Sequence, residues 1–80
     1  MIVSEAVAKR ISALLCEKSM TQYRLEKKAN IQHGSMQCIM NGRNNNIMLN
    51  TVIMIARGFD MTVDEFLDHG LFRDETLEVE

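Results

Sequence analysis

The chain has 80 residues, of which 46% are hydrophobic and 25% are charged, and its net charge is −2. This length fits one small domain with the composition of an ordinary globular protein, and few residues remain for an enzyme pocket once a core is built. No apolar run approaches the roughly 18 residues of a membrane span, and no secretory signal opens the chain. We therefore expect a cytoplasmic protein.

The residue types that carry catalysis or hold metals do not occur in useful groups. There is no nucleophile–base pair, no pair of carboxylates and no Gly-rich phosphate loop, so we expect neither an enzyme nor a cofactor. Cys16, Cys38, His33 and His69 lack the spacing of a zinc site. The two cysteines are expected to be free thiols, buried or partly exposed, with a disulfide as the alternative.

Charge is distributed unevenly along the chain. Residues 1–59 hold eight Lys or Arg against three Asp or Glu, a balance of +5, whereas residues 60–80 hold one Arg against eight acids, a balance of −7. Such asymmetry indicates that the basic residues 1–59 form the functional part of the protein and that residues 60–80 form an acidic C-terminal region. The alternative is an acidic tail that is merely solvated and has no partner.

Apolar residues at helical spacing predict a first helix that ends near Lys18. Its stripe consists of Val3, Val7, Ile11, Leu14 and Leu15. Ser4 is the predicted N-cap, and Glu5 near the start suits the helix dipole. Thr21 is the predicted N-cap of a second helix that stops near Ala29, with Asn30 in a left-handed turn.

A third helix opens at Gln32 and ends at Gly42, the predicted C′ residue. Its buried stripe is Met36, Ile39 and Met40, spaced i, i+3, i+4. On the opposite side lie small or uncharged polar residues: Gly34, Gln37, Cys38 and Asn41, with His33 in the first turn. Two short helices joined by a tight turn, the second with a polar face, indicate a helix-turn-helix reader of the DNA major groove.

Two more helices and a tail complete the pattern, which has no convincing strand and is therefore all-α. The fourth helix presents Leu49, Val52, Ile53 and Ala56 on one face. The fifth begins at a capping box formed by Thr62 and Glu65, and its buried side is Val63, Phe66 and Leu67. Six methionines are interpreted as core filler: Met20, Met36, Met40, Met48, Met54 and Met61.

Many residues stand at the spacing of one helix-turn-helix family. They are Thr21-Gln22, Leu25, Ile31, Ser35-Met36, Ile39, Gly42, Leu49, Ile55-Ala56, Met61-Thr62 and Asp64-Glu65-Phe66-Leu67. In their joint order the chain resembles the family of the phage lambda Cro protein and repressor, also called the xenobiotic-response-element type, over about residues 7 to 68. The expected architecture is a compact five-helix domain at residues 1–69, with the helix-turn-helix at helices 2 and 3, and an acidic tail at residues 70–80.

The resemblance implies roles for individual side chains. His33, Gly34, Gln37 and Cys38 match the base-reading positions of the family. The phosphate contacts are expected from Gln22, Asn41, Arg43 and Asn44. The polar loop that contains Arg43 and Asn44 has the alternative interpretation of a solvated connector.

The sequence departs from the family pattern in three respects. The family's reading face is often rich in Arg, Ser, Gln and Thr, whereas here Gly34 has no side chain and Cys38 is a weak donor, so direct reading is expected mainly from Gln37. Glu26 stands where the family prefers Ala packed against helix 3, and its carboxylate is expected either in solvent or on the amides that begin helix 3. Many members also pair an Arg in helix 1 with a Glu in helix 3. Here the matching positions are Leu15 and Met40, which we expect to touch in an apolar contact.

The expected function is sequence-specific binding of double-stranded DNA as a transcriptional regulator, with repression favoured over activation. The alternative is a protein-interaction module, an antitoxin or adaptor that uses the same fold. One recognition helix spans few base pairs, so we expect a homodimer, as the family forms. Its predicted surface is helix 5 with Leu71–Phe72, which have no evident place in the core, and Leu77 and Val79 alternate with acids as an edge strand would. A disordered tail is the alternative.

Overall fold

In a computed structural model, which describes residues 1–43, 46–73, 75, 77 and 78, the chain is all-α. The helices are α1 (Val3–Glu17), α2 (Gln22–Ala29), α3 (His33–Met40), α4 (Leu49–Gly58) and α5 (Val63–Leu67), followed by a 3-10 turn at Gly70–Phe72. The prediction of a compact, five-helix domain is confirmed. Within these ranges no helix is long and apolar enough to cross a membrane.

The start of α1 differs from the prediction. Ile2 is the N-cap residue, and its carbonyl already accepts the Ala6 amide at 3.1 Å, so the helix begins before Ser4. Ser4 is only 6% exposed, and among the described residues its Oγ has no hydrogen-bond partner. The assignment of Ser4 as N-cap was therefore wrong.

The turn between α2 and α3 follows the prediction closely. Thr21 Oγ1 accepts a hydrogen bond from the Arg24 amide at 3.1 Å, which satisfies a backbone donor of the first turn. Asn30 ends the helix in the left-handed conformation, with φ 58° and ψ 47°. The Ile31 amide then donates back to the Glu26 carbonyl at 3.0 Å, and the chain turns into α3.

One core joins all five helices. Its buried members are Val7, Ile11, Leu14, Leu25, Ala29, Met36, Ile39, Val52, Ile55, Ala56, Phe59 and Phe66. Within the helix-turn-helix, α2 packs chiefly against α4, and α3 packs chiefly against α1. The two helices of the motif are thus held by different neighbours.

A glycine allows α2 to approach α4. A Cβ added at Gly58 would lie 2.8 Å from Leu25 Cδ1 and 3.0 Å from Ala29 Cβ. Real Cβ atoms do not sit at 2.8 Å from another carbon, so a larger residue would force the helices apart. The packing of α2 against α4 therefore depends on the absence of a side chain at Gly58.

The inward face of α4 was predicted only in part. Val52 and Ala56 are buried as expected, but Ile53 is half-buried and Ile55 takes the core position. Leu49, the first residue of α4, is 63% exposed and is not part of the core.

Four of the six methionines proposed as core filler do contact or enter the core. They are Met36, which is fully buried, and Met20, Met40 and Met61, which are partly buried against it. Met48 is 63% exposed at the start of α4, so its assignment as core filler was wrong.

The residues after α5 return to the body of the protein. The predicted capping box is present, since Glu65 and Thr62 bond each other's backbone amides. The Phe72 ring lies 6.1 Å from the Phe66 ring and packs on the core, so the idea that Phe72 has no place there was wrong. Glu78 forms an isolated parallel bridge with Ile2 of the same chain, while Val79 lies outside the described residues.

The two threonine caps should each stabilise the fold measurably. We expect Thr21→Ala and Thr62→Ala each to lower the free energy of unfolding by about 1 kcal/mol, because a backbone donor loses its acceptor. Ser4→Ala is the matched control, and it should be neutral or stabilising because its hydroxyl has no partner among the described residues. Urea unfolding of the three variants tests this, and equal losses in all three would contradict it.

Candidate nucleic-acid interface

Helix α3 presents its polar face to solvent. Met36 and Ile39 are buried, whereas the residues predicted to read bases, His33, Gly34, Gln37 and Cys38, are all exposed. Asn41, the C-cap residue, is exposed as well. The structure therefore brings these residues to one surface, as their helical spacing required.

The residues expected to contact phosphate flank that surface. Gln22 is the first residue of α2, and Arg43 follows α3 with an exposed side chain. Gly42 ends α3 with φ +69°, so it takes the left-handed C′ conformation that the sequence predicted. Asn44 lies outside the residues that the structure describes.

A chain of side-chain hydrogen bonds links α2 to α3. Gln22 Nε2 donates to Glu26 Oε2 at 3.0 Å, and His33 Nδ1 lies 2.8 Å from the same oxygen. Gln37 Nε2 lies 3.2 Å from His33 Nε2. One carboxylate thus connects a predicted phosphate contact to two predicted base-reading residues.

Glu26 takes neither of the two courses that the sequence left open. Its side chain is only 6% exposed, and its Oε2 lies within hydrogen-bond distance of the Gln22 and His33 side chains. The hydrogen bond from Gln22 lowers the pKa of the Glu26 carboxyl below its usual value, and His33 and Lys27 act in the same direction against the cost of burial. The i, i+4 spacing of Gln22 and Glu26 was the one sequence signal for this link.

The basic residues of the body do not all face a ligand. Arg10 donates to the backbone carbonyls of Phe66 and Glu65, and so ties α1 to α5. Lys28 pairs with Asp60 at 2.8 Å, and this hydrogen bond and charge lower the pKa of the Asp60 carboxyl. The excess of positive charge available to DNA is therefore smaller than a count over residues 1–59 suggests.

The cysteines and histidines form no metal centre in the part of the chain described. Cys16 and Cys38 are both free thiols, and both are exposed rather than buried. No group of three or more metal-binding side chains occurs among the described residues.

Comparison with known proteins gives the family. The model of the Cro/C1-type HTH DNA-binding domain matches residues 10–70, which contain α2, the turn and α3. The chain belongs to this family. No curated protein and no solved structure matched it in the parallel searches.

The Cro/C1-type domain covers most of the chain, from within α1 to the start of the 3-10 turn. Its helix-turn-helix is made of α2 and α3, as the residue pattern predicted. Membership supports a DNA-binding regulator, and such domains are typically not enzymes.

Proposed function

We propose that this Cro/C1-type domain is a sequence-specific transcriptional repressor that inserts α3 into the major groove of DNA. The observation that carries the proposal is the exposed polar face of α3 on a helix whose other side is buried in the core. A helix placed in the major groove meets the edges of base pairs and needs hydrogen-bonding side chains on that face. Repression requires only that such a protein occupy its operator.

Direct reading of bases rests mainly on Gln37. His33 has one ring nitrogen on Glu26, Gly34 has no side chain, and the Cys38 thiol is a weak donor. The amide of Gln37 can make a bidentate contact with adenine. Gly34 and Cys38 would then serve by letting the helix approach the base edges closely.

Phosphate contacts would hold the domain in register. Gln22 has a second amide hydrogen beyond the one that Glu26 accepts, and it stands at the N-terminus of α2, where backbone amides favour anions. Asn41 and Arg43 flank the other end of the reading face, and Asn44 is proposed as a further contact on the resemblance alone. Such contacts position the protein and carry no base information.

Two substitutions should separate reading from positioning. Gln37→Ala should flatten the preference at one or two base pairs, with a loss of discrimination of roughly 1–3 kcal/mol. Arg43→Ala should weaken binding to all sequences alike and reduce the dependence of affinity on salt. Binding to a selected operator and to random DNA at two salt concentrations measures both effects. Equal loss of specific and non-specific binding in both variants would show that the roles are wrongly assigned.

We also propose that the domain acts as a homodimer through α5 and the Leu71–Phe72 step, reading half-sites about 34 Å apart. Next to this step lies an apolar groove of about 410 Å³ that is open to solvent. Its lining consists of Val3, Val7, Ile47, Leu49, Val52, Leu67, Phe72 and Leu77. A second copy would cover Leu49, which is 63% exposed in the single chain.

Leu71→Lys is a sharper test of the dimer than removal of residues 70–80, because a deletion would also remove Phe72, which packs against the core. In sedimentation at tens of micromolar, the native protein should be a dimer and Leu71→Lys a monomer. Tyr23→Lys, which replaces an exposed aromatic on α2, is the control and should remain dimeric. A monomeric native protein, or a dimeric Leu71→Lys variant, would overturn the proposed interface.

The same groove supports a second candidate function, a module that holds another protein, as an antitoxin or adaptor does. In that case the groove would be filled by the partner. The DNA-binding experiment decides between the two functions, because an adaptor would bind selected and random DNA equally weakly at physiological salt.

A further inference from the structure

The hydrogen bonds that join α2 to α3 form one continuous chain. Gln22 and Glu26 are one turn apart on α2, and His33 and Gln37 are one turn apart on α3. The 2.8 Å contact between Glu26 Oε2 and His33 Nδ1 crosses between the helices. The Gln22 amide nitrogen can only donate, whereas the two ring nitrogens of His33 donate or accept according to the tautomer.

The donor and acceptor in each of these hydrogen bonds follow from the charge of Glu26, the buried residue of the series. An ionised carboxylate can only accept hydrogen bonds. Because the pKa of Glu26 is lowered, its carboxylate is ionised near neutral pH, and Gln22 Nε2 and His33 Nδ1 must both donate to it. A neutral imidazole with its proton on Nδ1 has a lone pair on Nε2, which therefore accepts. The atom of Gln37 that faces His33 must then be the amide nitrogen.

We infer that Glu26 is a positioning residue that fixes the tautomer of His33 and, through it, the orientation of the Gln37 amide. With one N–H spent on His33, Gln37 offers its carbonyl oxygen and its second N–H outward. This pair complements adenine, which shows a donor and an acceptor in the major groove, rather than guanine, which shows two acceptors. The adenine preference rests on the proposed function, whereas the tautomer of His33 does not.

Long-range ¹H–¹⁵N spectra of the histidine rings test the orientation without DNA. At a pH where both imidazoles are neutral, His33 should show the Nδ1–H tautomer. His69 is an internal reference with the opposite tautomer, because its Nδ1 accepts from the Leu71 amide at 3.1 Å. Glu26→Ala, which restores the residue that the family prefers, should move His33 toward the Nε2–H tautomer and leave His69 unchanged.

Two further variants keep this test decisive. Glu26→Gln retains the size of the side chain in case the alanine variant is poorly folded, and it should give His33 a mixture of tautomers. Glu17→Ala makes the same change as the first variant at an exposed position at the end of α1, and should change neither histidine. A native His33 in the Nε2–H form, or one unaffected by either change at Glu26, overturns the inference.

Selection of DNA from a randomised library tests the consequence for reading. Glu26→Ala should reduce the preference for adenine over guanine by about 5-fold or more at the base pair where Gln37→Ala also reduces it. Glu17→Ala should select the same sequences as the native protein. An unchanged preference in Glu26→Ala would overturn the link from tautomer to base choice. Failure of the native protein to select any sequence would overturn the proposed function and the adenine preference, while the spectra alone decide the role of Glu26.

Discussion

Gly58→Ala is expected to destabilise the domain by about 1–3 kcal/mol, although alanine is ordinarily the better helix former. The added methyl would meet Leu25 Cδ1 at 2.8 Å, Ala29 Cβ at 3.0 Å and the Ala29 backbone nitrogen at 3.3 Å. The Leu25 side chain could change its rotamer, but it is fully buried and has little room to do so. The two atoms of Ala29 can move only if α2 moves as a whole. The strain therefore falls on the packing of α2 against α4.

Gly34→Ala is the matched control for this prediction. A Cβ at Gly34 would meet nothing within 4 Å, so the same change should stabilise α3 by up to about 1 kcal/mol. Urea unfolding of both variants gives the two free energies of unfolding. If Gly58→Ala proved as stable as Gly34→Ala, the close approach of α2 and α4 would be wrong.

Met40→Glu is expected to cost up to about 3 kcal/mol of stability, the lower end for an uncompensated buried charge, because Met40 keeps some exposure. Leu15 and Met40 are both partly buried against the same core, and α1 packs on α3. That they touch remains a prediction. If they do, Leu15→Arg should recover part of the loss by supplying the partner that many family members have.

The double variant Leu15→Arg, Met40→Glu measures this coupling in thermal or urea unfolding. Cys38→Glu places the same charge on the exposed side of α3 and should change stability by less than about 0.5 kcal/mol. A double variant no more stable than Met40→Glu alone would refute the pairing, and a loss in Cys38→Glu as large as that in Met40→Glu would show that burial is not the cause.

The sequence was sufficient to predict features that depend only on neighbouring residues, such as helix caps and tight turns. Thr21 and Thr62 accept from amides three residues later, and Asn30 takes the left-handed turn, because short-range backbone geometry decides these conformations. The stripe of α3 was equally predictable, since helical spacing alone separates Met36 and Ile39 from the exposed face.

Residues whose place depends on distant parts of the chain were not predictable in this way. Leu49 continues the apolar spacing of α4 but is 63% exposed, because which part of a helix face is covered depends on the packing of the other helices. Phe72 packs against the core because the chain turns back after α5 and meets Phe66. Periodicity along one helix contains no information on where its neighbours end.

The candidate site shows the same division. The exposed positions of α3 could be predicted from helical spacing. The hydrogen-bond partners of the Glu26 carboxylate could not, since they depend on how α2 and α3 cross. An acid on a helix is most simply solvated. Only the three-dimensional structure shows that the Glu26 Oε2 lies within hydrogen-bond distance of both Gln22 and His33.

The separate support of α2 by α4 and of α3 by α1 has a consequence for protein engineering. Gly34, Cys38 and Asn41 take no part in the core, so they can be randomised as a library without redesign of the scaffold. His33 and Gln37 do not offer that freedom, because they are joined to Glu26 on the other helix. A library aimed at a new operator should therefore vary Glu26, His33 and Gln37 together. Gly34, Cys38 and Asn41 can each be varied independently.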